Sequence, residues 1–221
     1  MKPTISDIFS DQDLRRIKDS VTDAERLTSA EIVPFIVDRS DAYDEAVWRA
    51  GFLFAIPVAG LFWILRTWTE IWVAGALPIM VTCLLLASSL AMLLVGWVPP
   101  LKRLFAGREL LDHRCFQRAQ QAFLSEEVFA TEGRTGILIF VSLLEQRVVV
   151  VGDSGINARV KPDEWRKITD DLTLAVKGGR AGDGMVEAVR AGAALLQIHG
   201  LARSRDDRNE LSDTPRTGGP R

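Results

Sequence analysis

The sequence predicts an α/β protein: a small α/β/α sandwich with a mixed sheet, interrupted along the chain by a two-helix transmembrane hairpin. Three observations support this: two short apolar strands within residues 136–155, two long apolar runs between residues 50 and 98, and amphipathic helices on both sides of those runs. Of the 221 residues, 48% are hydrophobic, and the mean hydropathy is +0.11. This is high for a soluble protein of this size, and the excess lies in one block.

The two strands after the apolar block are the most clearly defined elements. Ile137–Val141 and Val148–Val151 are continuous runs rich in β-branched residues, which is typical of buried strands. The four residues 143–146 between them are too few for a crossover helix, so the strands must form an antiparallel hairpin. An earlier strand is predicted at Glu31–Val37. Pro34 cannot donate a ladder hydrogen bond there, which indicates an edge strand or a bulge.

Amphipathic helices surround these strands. Ser10 is predicted to cap the first helix, and its apolar positions recur at helical spacing: Leu14, Ile17, Val21 and Ala24. Further helices are predicted before the second strand and after the third. Without the apolar block the order is helix, strand, helix, strand, strand, helix, helix, so the first two strands can be parallel through a right-handed crossover.

The apolar block predicts two membrane spans. Residues 50–65 carry no charge, and residues 71–98 form a longer apolar run. A spanning helix needs about 20 apolar residues, which the first run reaches only if flanking residues such as Trp48 and Trp68 are included. Tryptophans near the run ends are typical of membrane interfaces. The alternative, a buried helix pair in a soluble protein, would need a core large enough to surround both helices.

Basic residues predict the orientation of this hairpin. Five of them flank it and one lies in its turn: Arg39, Arg49, Lys102, Arg103 and Arg108 against Arg66. We therefore expect an integral protein of the cell (inner) membrane, with two spans and with its N- and C-terminal parts in the cytoplasm. Lys102 and Arg103 are expected to face lipid phosphates.

The predicted organisation has four segments. Residues 1–46 and 101–200 are two parts of one α/β domain, and residues 47–100 are the transmembrane hairpin between them. Residues 201–221 are charged and nearly free of large apolar side chains, so a disordered tail is predicted. The expected partners are the lipid bilayer and an unidentified membrane protein. The sequence does not decide whether the chain also forms a homo-oligomer. The net charge of −2 gives no electrostatic argument for nucleic acid.

A ligand site is predicted at one end of the sheet. If the first two strands are parallel and the third antiparallel, Glu31, Glu132, Arg134 and Asp153 converge there. These residues could bind a phosphate or a divalent cation such as calcium or magnesium, with Glu132 and Asp153 as the metal ligands. The other interpretation is a set of turn residues with a solvated ion pair. No catalytic residue is assigned, because Ser154 has no histidine placed beside it.

Three stretches resemble the TPM domain family, which is named for a thylakoid lumen protein, a photosystem II repair protein and a nematode receptor modulator. They are Phe9-Ser10 with Glu25–Ile32 (ERLTSAEI), then Arg134–Ser142 (RTGILIFVS) and Arg147–Gly152 (RVVVVG). The resemblance implies an α/β/α sandwich, often tethered to a membrane, in proteins that assist assembly or repair. It also implies a phosphatase activity and binding of calcium or other divalent ions in some members.

This chain departs from the TPM pattern at one position. Many members carry Asp-Asn-Gly before the second strand, where this chain has Arg134-Thr135-Gly136. This departure, together with the predicted anchor and the lack of an assembled catalytic set, favours an interaction or accessory module for the assembly or maintenance of membrane proteins. A divalent-metal-dependent phosphatase is the alternative.

Overall fold

The computed structural model describes residues 4–69, 76–203 and 210–218. The described chain divides into two compact units. One unit contains residues from 42 to 111. The other contains residues up to 41 together with those from 112 onward.

The described elements follow one another in this order: α1 (Ile5–Ile8), α2 (Asp11–Glu25), β1 (Glu31–Val37), α3 (Asp44–Thr69), α4 (Ala76–Trp97), α5 (Pro99–Ala106), α6 (Arg108–Ser125), β2 (Gly136–Ser142), β3 (Arg147–Gly152), α7 (Ser154–Asn157), a 3-10 turn (Pro162–Trp165), α8 (Arg166–Lys177), α9 (Ala181–Ile198) and β4 (Arg216–Gly218). The predicted cap of α2 is confirmed, since the Ser10 hydroxyl accepts a hydrogen bond from the Asp13 N–H.

A mixed sheet of order β3-β2-β1-β4 forms the centre of the second unit. The predicted pairings are confirmed: β1 runs parallel to β2, with Glu31 opposite Gly136, and β2 and β3 form the antiparallel hairpin. On its other side β1 pairs with β4 only over Phe35–Val37. Pro34 therefore lies just before the stretch that pairs on both sides, where its missing N–H costs no ladder bond to β4.

Alternate residues of β1 and β2 point to opposite faces of the sheet, as strand geometry requires. Ile32, Ile36 and Ile139 belong to a core formed with helices α2, α8 and α9. Phe35 and Phe140 belong to a second core with α6, and their rings stack with centroids 6.0 Å apart. Helices thus cover both faces of the sheet, in the predicted α/β/α arrangement.

The other unit contains two helices that are long and apolar enough to cross a membrane, Asp44–Trp68 and Leu77–Trp97. They pack closely at Gly51, where the Ser88 hydroxyl donates to the Gly51 carbonyl at 3.2 Å and a Cβ would lie 3.0 Å from the Met92 side chain. The absence of a side chain at Gly51 thus allows the two helices to approach each other there. The predicted turn and the start of the second run fall partly on residues 70–75, outside the described residues.

Helix α5 belongs to the unit of α3 and α4, so the predicted boundaries at residues 46 and 100 differ from the observed ones at 41 and 111. The expectation that Lys102 faces lipid is also wrong. Its side chain is buried, and Nζ donates to the Ala42 carbonyl at 2.8 Å. Arg49 donates to the carbonyl of Ala106, the last residue of α5, at 3.4 Å. Carbonyls at the C-terminal end of a helix lack helical partners and attract cations, which explains the contact of Arg49 with Ala106.

The prediction of a disordered tail over residues 201–221 is corrected for its described part. Residues 210–218, which we call the strap, lie along the edge of β1 and include β4. Composition alone misjudged this segment because most contacts of the strap are polar, with a short backbone ladder and one large apolar side chain, Leu211.

Candidate functional site

The candidate site lies where the amino ends of β1 and β2 meet the carboxyl end of β3. Glu31 is opposite Gly136, and Ile137 is opposite Gly152, so the segments that precede β2 and follow β3 lie at this end of the sheet. The two segments are tied together, because the Asp153 N–H donates to the Gly136 carbonyl at 2.9 Å.

Arg134 and Asp153 form an ion pair at this end, with 3.0 Å between Arg134 Nε and Asp153 Oδ2. The Asp153 side chain is only 6% exposed, whereas the Arg134 side chain is 54% exposed. Asp153 Oδ1 accepts the Ser154 N–H at 2.6 Å and caps α7. Oδ2 has no hydrogen bond of good geometry within the described residues, so its contact with Arg134 is ionic. The predicted ion pair is thus present, but its carboxylate is buried rather than solvated.

Glu31 and Glu132 make their contacts with the strap instead. The buried Glu31 carboxylate accepts the N–H groups of Glu210 and Leu211, at 3.1 and 3.4 Å. The Glu132 N–H donates to the carboxylate of Glu210, 3.1 Å from each oxygen, while Glu132 itself is exposed. The four predicted residues therefore lie at one end of the sheet but divide between two sets of contacts.

The described residues contain no group of three or more His, Cys, Asp or Glu side chains that could hold a metal ion. Arg134 already supplies a positive charge to the buried carboxylate of Asp153. The expected calcium or magnesium site at Glu132 and Asp153, and the phosphatase alternative, stay predictions.

Sequence reasoning missed an acidic cluster formed by Glu25, Glu31 and Asp213. Glu25 is buried, accepts the Ile32 N–H at 3.1 Å and hydrogen-bonds Asp213, which also lies 2.5 Å from the Thr22 hydroxyl. Burial, followed by the charge of Glu31, raises the pKa of Glu25 to about 9. Glu25 therefore carries a proton at neutral pH. The one sequence signal was an acidic residue at the end of α2 close to another at the start of β1.

A second buried polar network lies at the opposite end of the β1–β2 pair. The Ser142 hydroxyl donates to Glu145, whose other oxygen accepts the Ser40 N–H at 2.8 Å. The Ser40 hydroxyl contacts Ser142 at 3.0 Å and the Cys115 sulfur at 3.4 Å. Burial, with the nearby Glu145 charge, raises the pKa of Cys115 to about 12, so the thiol stays protonated and is a poor nucleophile.

We expect Glu25→Gln to flatten the pH dependence of stability. The folded pKa of Glu25 lies above its unfolded value, so its contribution to stability is complete below pH 4.5 and is lost as pH rises toward about 9. Glutamine keeps an uncharged side chain there at every pH. Between pH 5 and 9 the stability of the variant should improve relative to the parent by at least about 1 kcal/mol, the equivalent of roughly one pKa unit. Unfolding midpoints of both proteins measured across this range check the effect. Parallel curves would contradict it.

We expect Asp153→Ala to destabilise the fold by about 1–2 kcal/mol, because it removes the cap of α7 and the buried partner of Arg134. The matched control is Asp163→Ala, which removes the carboxylate of an exposed pair with Arg166. That change should cost about 0–1 kcal/mol. Equal unfolding midpoints for the two variants would show that the buried carboxylate has no special structural role.

Comparisons with known proteins show similarity at the level of the fold. No family model matches the chain, and no curated protein matches it. Among solved structures, the NMR structure of the BA42 protein from the psychrophilic bacterium Bizionia argentinensis is similar with a TM-score of 0.58. The two chains are 19% identical, and the similarity covers 97% of this chain and 99% of that chain. At this identity the likeness extends to the fold alone.

Proposed function

We propose that the protein is a TPM-like α/β module anchored in the cell (inner) membrane, where it assists the assembly or maintenance of another membrane protein. The observation that carries the anchor is the exposure of helices α3 and α4. In each helix, only 11% of the most apolar stretch of 18 residues is buried inside the protein. The core helix of a soluble protein would be mostly buried, so an apolar surface of this extent needs an external cover.

The exposed side chains have the chemistry of a bilayer-facing surface. Large apolar residues lie along both helices: Phe52, Leu53, Ile56, Leu61, Leu85, Leu86 and Leu93. Trp48 and Trp68 lie near the two ends of α3, and Trp97 lies at the end of α4, all at least half exposed. Tryptophan at both ends of an apolar span is favoured at the headgroup level.

The charge pattern supports a cytoplasmic position for both ends of the hairpin. Lys102 and Arg49 bind backbone carbonyls, which keeps these cations at the end where α3 begins and α5 ends. Arg66 lies near the other end, in the last turn of α3. A surplus of Lys and Arg at one end is the pattern of the cytoplasmic side.

Two features support an interaction module rather than a lone anchor. The first is the resemblance of the β1, β2 and β3 segments to the TPM family, whose members assist other proteins. The second is the side of β1 that faces away from β2. Among the described residues, this side pairs with the three-residue strand β4 of the strap. A sheet edge offers backbone groups that a partner can pair with.

Cysteine labelling in intact cells tests the anchor and its orientation together. In a Cys83→Ser, Cys115→Ala background, we would place one cysteine at Trp68, which is 86% exposed, or at Asp163 on the sandwich. A membrane-impermeant maleimide should label Trp68→Cys in intact cells and Asp163→Cys only after permeabilisation. Both proteins should stay in the membrane pellet after carbonate extraction.

The opposite labelling pattern would reverse the orientation, and release by carbonate would refute the anchor. Phosphate release that requires magnesium or calcium and is lost in Asp153→Ala would replace the accessory role with the phosphatase alternative.

A further inference from the structure

The strap binds the sheet edge through a short ladder. Only Arg216–Gly218 pairs with β1, in parallel and opposite Phe35–Val37. Three paired residues contribute little on their own, because a marginal strand pairing needs supporting side-chain contacts to be stable. The strap therefore depends on what its side chains and backbone contact elsewhere.

Five strap residues make specific contacts with the sandwich, and the first of them, Glu210, hydrogen-bonds Glu31 and Glu132. Leu211 packs on the core that contains Phe35 and Phe140, and its N–H donates to Glu31. Asp213 contacts the Thr22 hydroxyl and Glu25.

Arg216 and Gly218 complete this set of contacts. Arg216 Nη1 donates to the carbonyl of Glu126 at 2.7 Å and to its carboxylate at 2.9 Å. A Cβ on Gly218 would lie 2.8 Å from the Phe35 ring, so a larger residue does not fit without movement.

These contacts define a spaced recognition pattern: a leucine, an aspartate two residues later, an arginine three further on and a glycine two beyond that. Backbone pairing that supplies affinity, together with side chains that supply selectivity, is how proteins bind extended peptides by strand addition. The strap thus has the features of a peptide ligand held by its own protein.

The contacts of the strap are also easily weakened. Asp213 of the strap hydrogen-bonds Glu25, which lies near the charge of Glu31, so loss of the Glu25 proton would set two carboxylates of the sandwich against Asp213. The Glu31 carboxylate accepts hydrogen bonds from two backbone N–H groups of the strap, and any extended peptide has such groups. Exchange of one extended segment for another would therefore preserve these bonds.

We propose that the edge of β1 is a peptide-binding site, that the strap is its intramolecular ligand, and that an extended segment of another protein with the same leucine, aspartate, arginine and glycine spacing displaces it. The incoming segment adds to β1 as a parallel strand and places its arginine on Glu126. This inference rests on the proposed function, since it names the surface through which the module contacts its partner.

Peptide binding to the full-length chain in detergent tests the proposal. The probe is a fluorescent peptide with the sequence of residues 210–218, read by anisotropy. The parent chain should bind it weakly because its own strap competes. Arg216→Glu in the chain weakens that competitor and should tighten peptide binding at least about tenfold. Gly218→Val weakens the strap through a different contact and should act in the same direction.

A charge exchange tests where the arginine binds. A peptide carrying glutamate at the position of Arg216 should not bind the Arg216→Glu chain. It should bind a chain that carries Glu126→Arg alone, because the new arginine attracts the glutamate of the peptide and repels Arg216 of the chain's own strap. This rescue would not occur if the peptide stuck nonspecifically to the apolar helices.

Failure of the peptide to bind either strap variant at about 1 mM, while circular dichroism shows both variants folded, would overturn the proposal. Equal binding of the normal and charge-reversed peptides to the Arg216→Glu chain would also overturn it. A third result would also overturn it: the parent protein is a dimer, Gly218→Val is a monomer, and neither binds the peptide. The edge of β1 would then pair with the strap of a second copy of the chain. Membrane extraction and labelling are independent of these readouts, so failure here leaves the proposed anchor intact.

Discussion

The parallel pairing of β1 with β2 is the constraint on which the sandwich depends. It joins Glu31–Val37 to Gly136–Ser142, and the apolar hairpin lies between them in the chain. Loop closure becomes only slowly more costly with length, so a long insertion is tolerated. The insertion also brings its own ends together, because Lys102 binds the carbonyl of Ala42 within the hairpin unit. Because the inserted segment folds on itself and holds its two ends together, it offsets part of the entropy cost of bringing β1 and β2 together.

Buried polar networks complete the two ends of the β1–β2 pair. Ser142 and Glu145 bind Ser40 at one end, while Glu25 and Glu31 bind the strap at the other. Buried carboxyl groups are costly unless they are hydrogen-bonded or neutral, and both conditions are met here: Glu31 and Glu145 accept hydrogen bonds, and Glu25 keeps its proton. These networks specify where loops and the strap attach, and the apolar faces supply the core.

The sequence predicted those strands and helices that are defined by hydrophobic periodicity and by the length of an apolar run. The apolar runs at Ile137–Val141 and Val148–Val151 identified the hairpin, and the parallel partner at Glu31–Val37 followed from topology. It could not predict the strap, because Leu211 is its only large apolar residue and its stability comes from distant partners. The position of Asp153 beside Arg134 was foreseen from strand order, whereas its burial was not, since local sequence does not show which turn is covered. The inward position of Lys102 was missed for a similar reason. Its acceptor is a backbone carbonyl, and since every residue has one, the sequence does not indicate which carbonyl a lysine will bind.

The stacked rings of Phe35 and Phe140 allow the most direct test that the chain on both sides of the apolar hairpin forms one core. The two residues lie on β1 and β2, with ring centroids 6.0 Å apart and planes at 14°. In a double-mutant cycle with Phe35→Leu and Phe140→Leu, unfolding free energies should reveal a coupling of about 0.5–1.5 kcal/mol. Additivity within about 0.3 kcal/mol would mean that the two strands do not share a core, and would contradict the account.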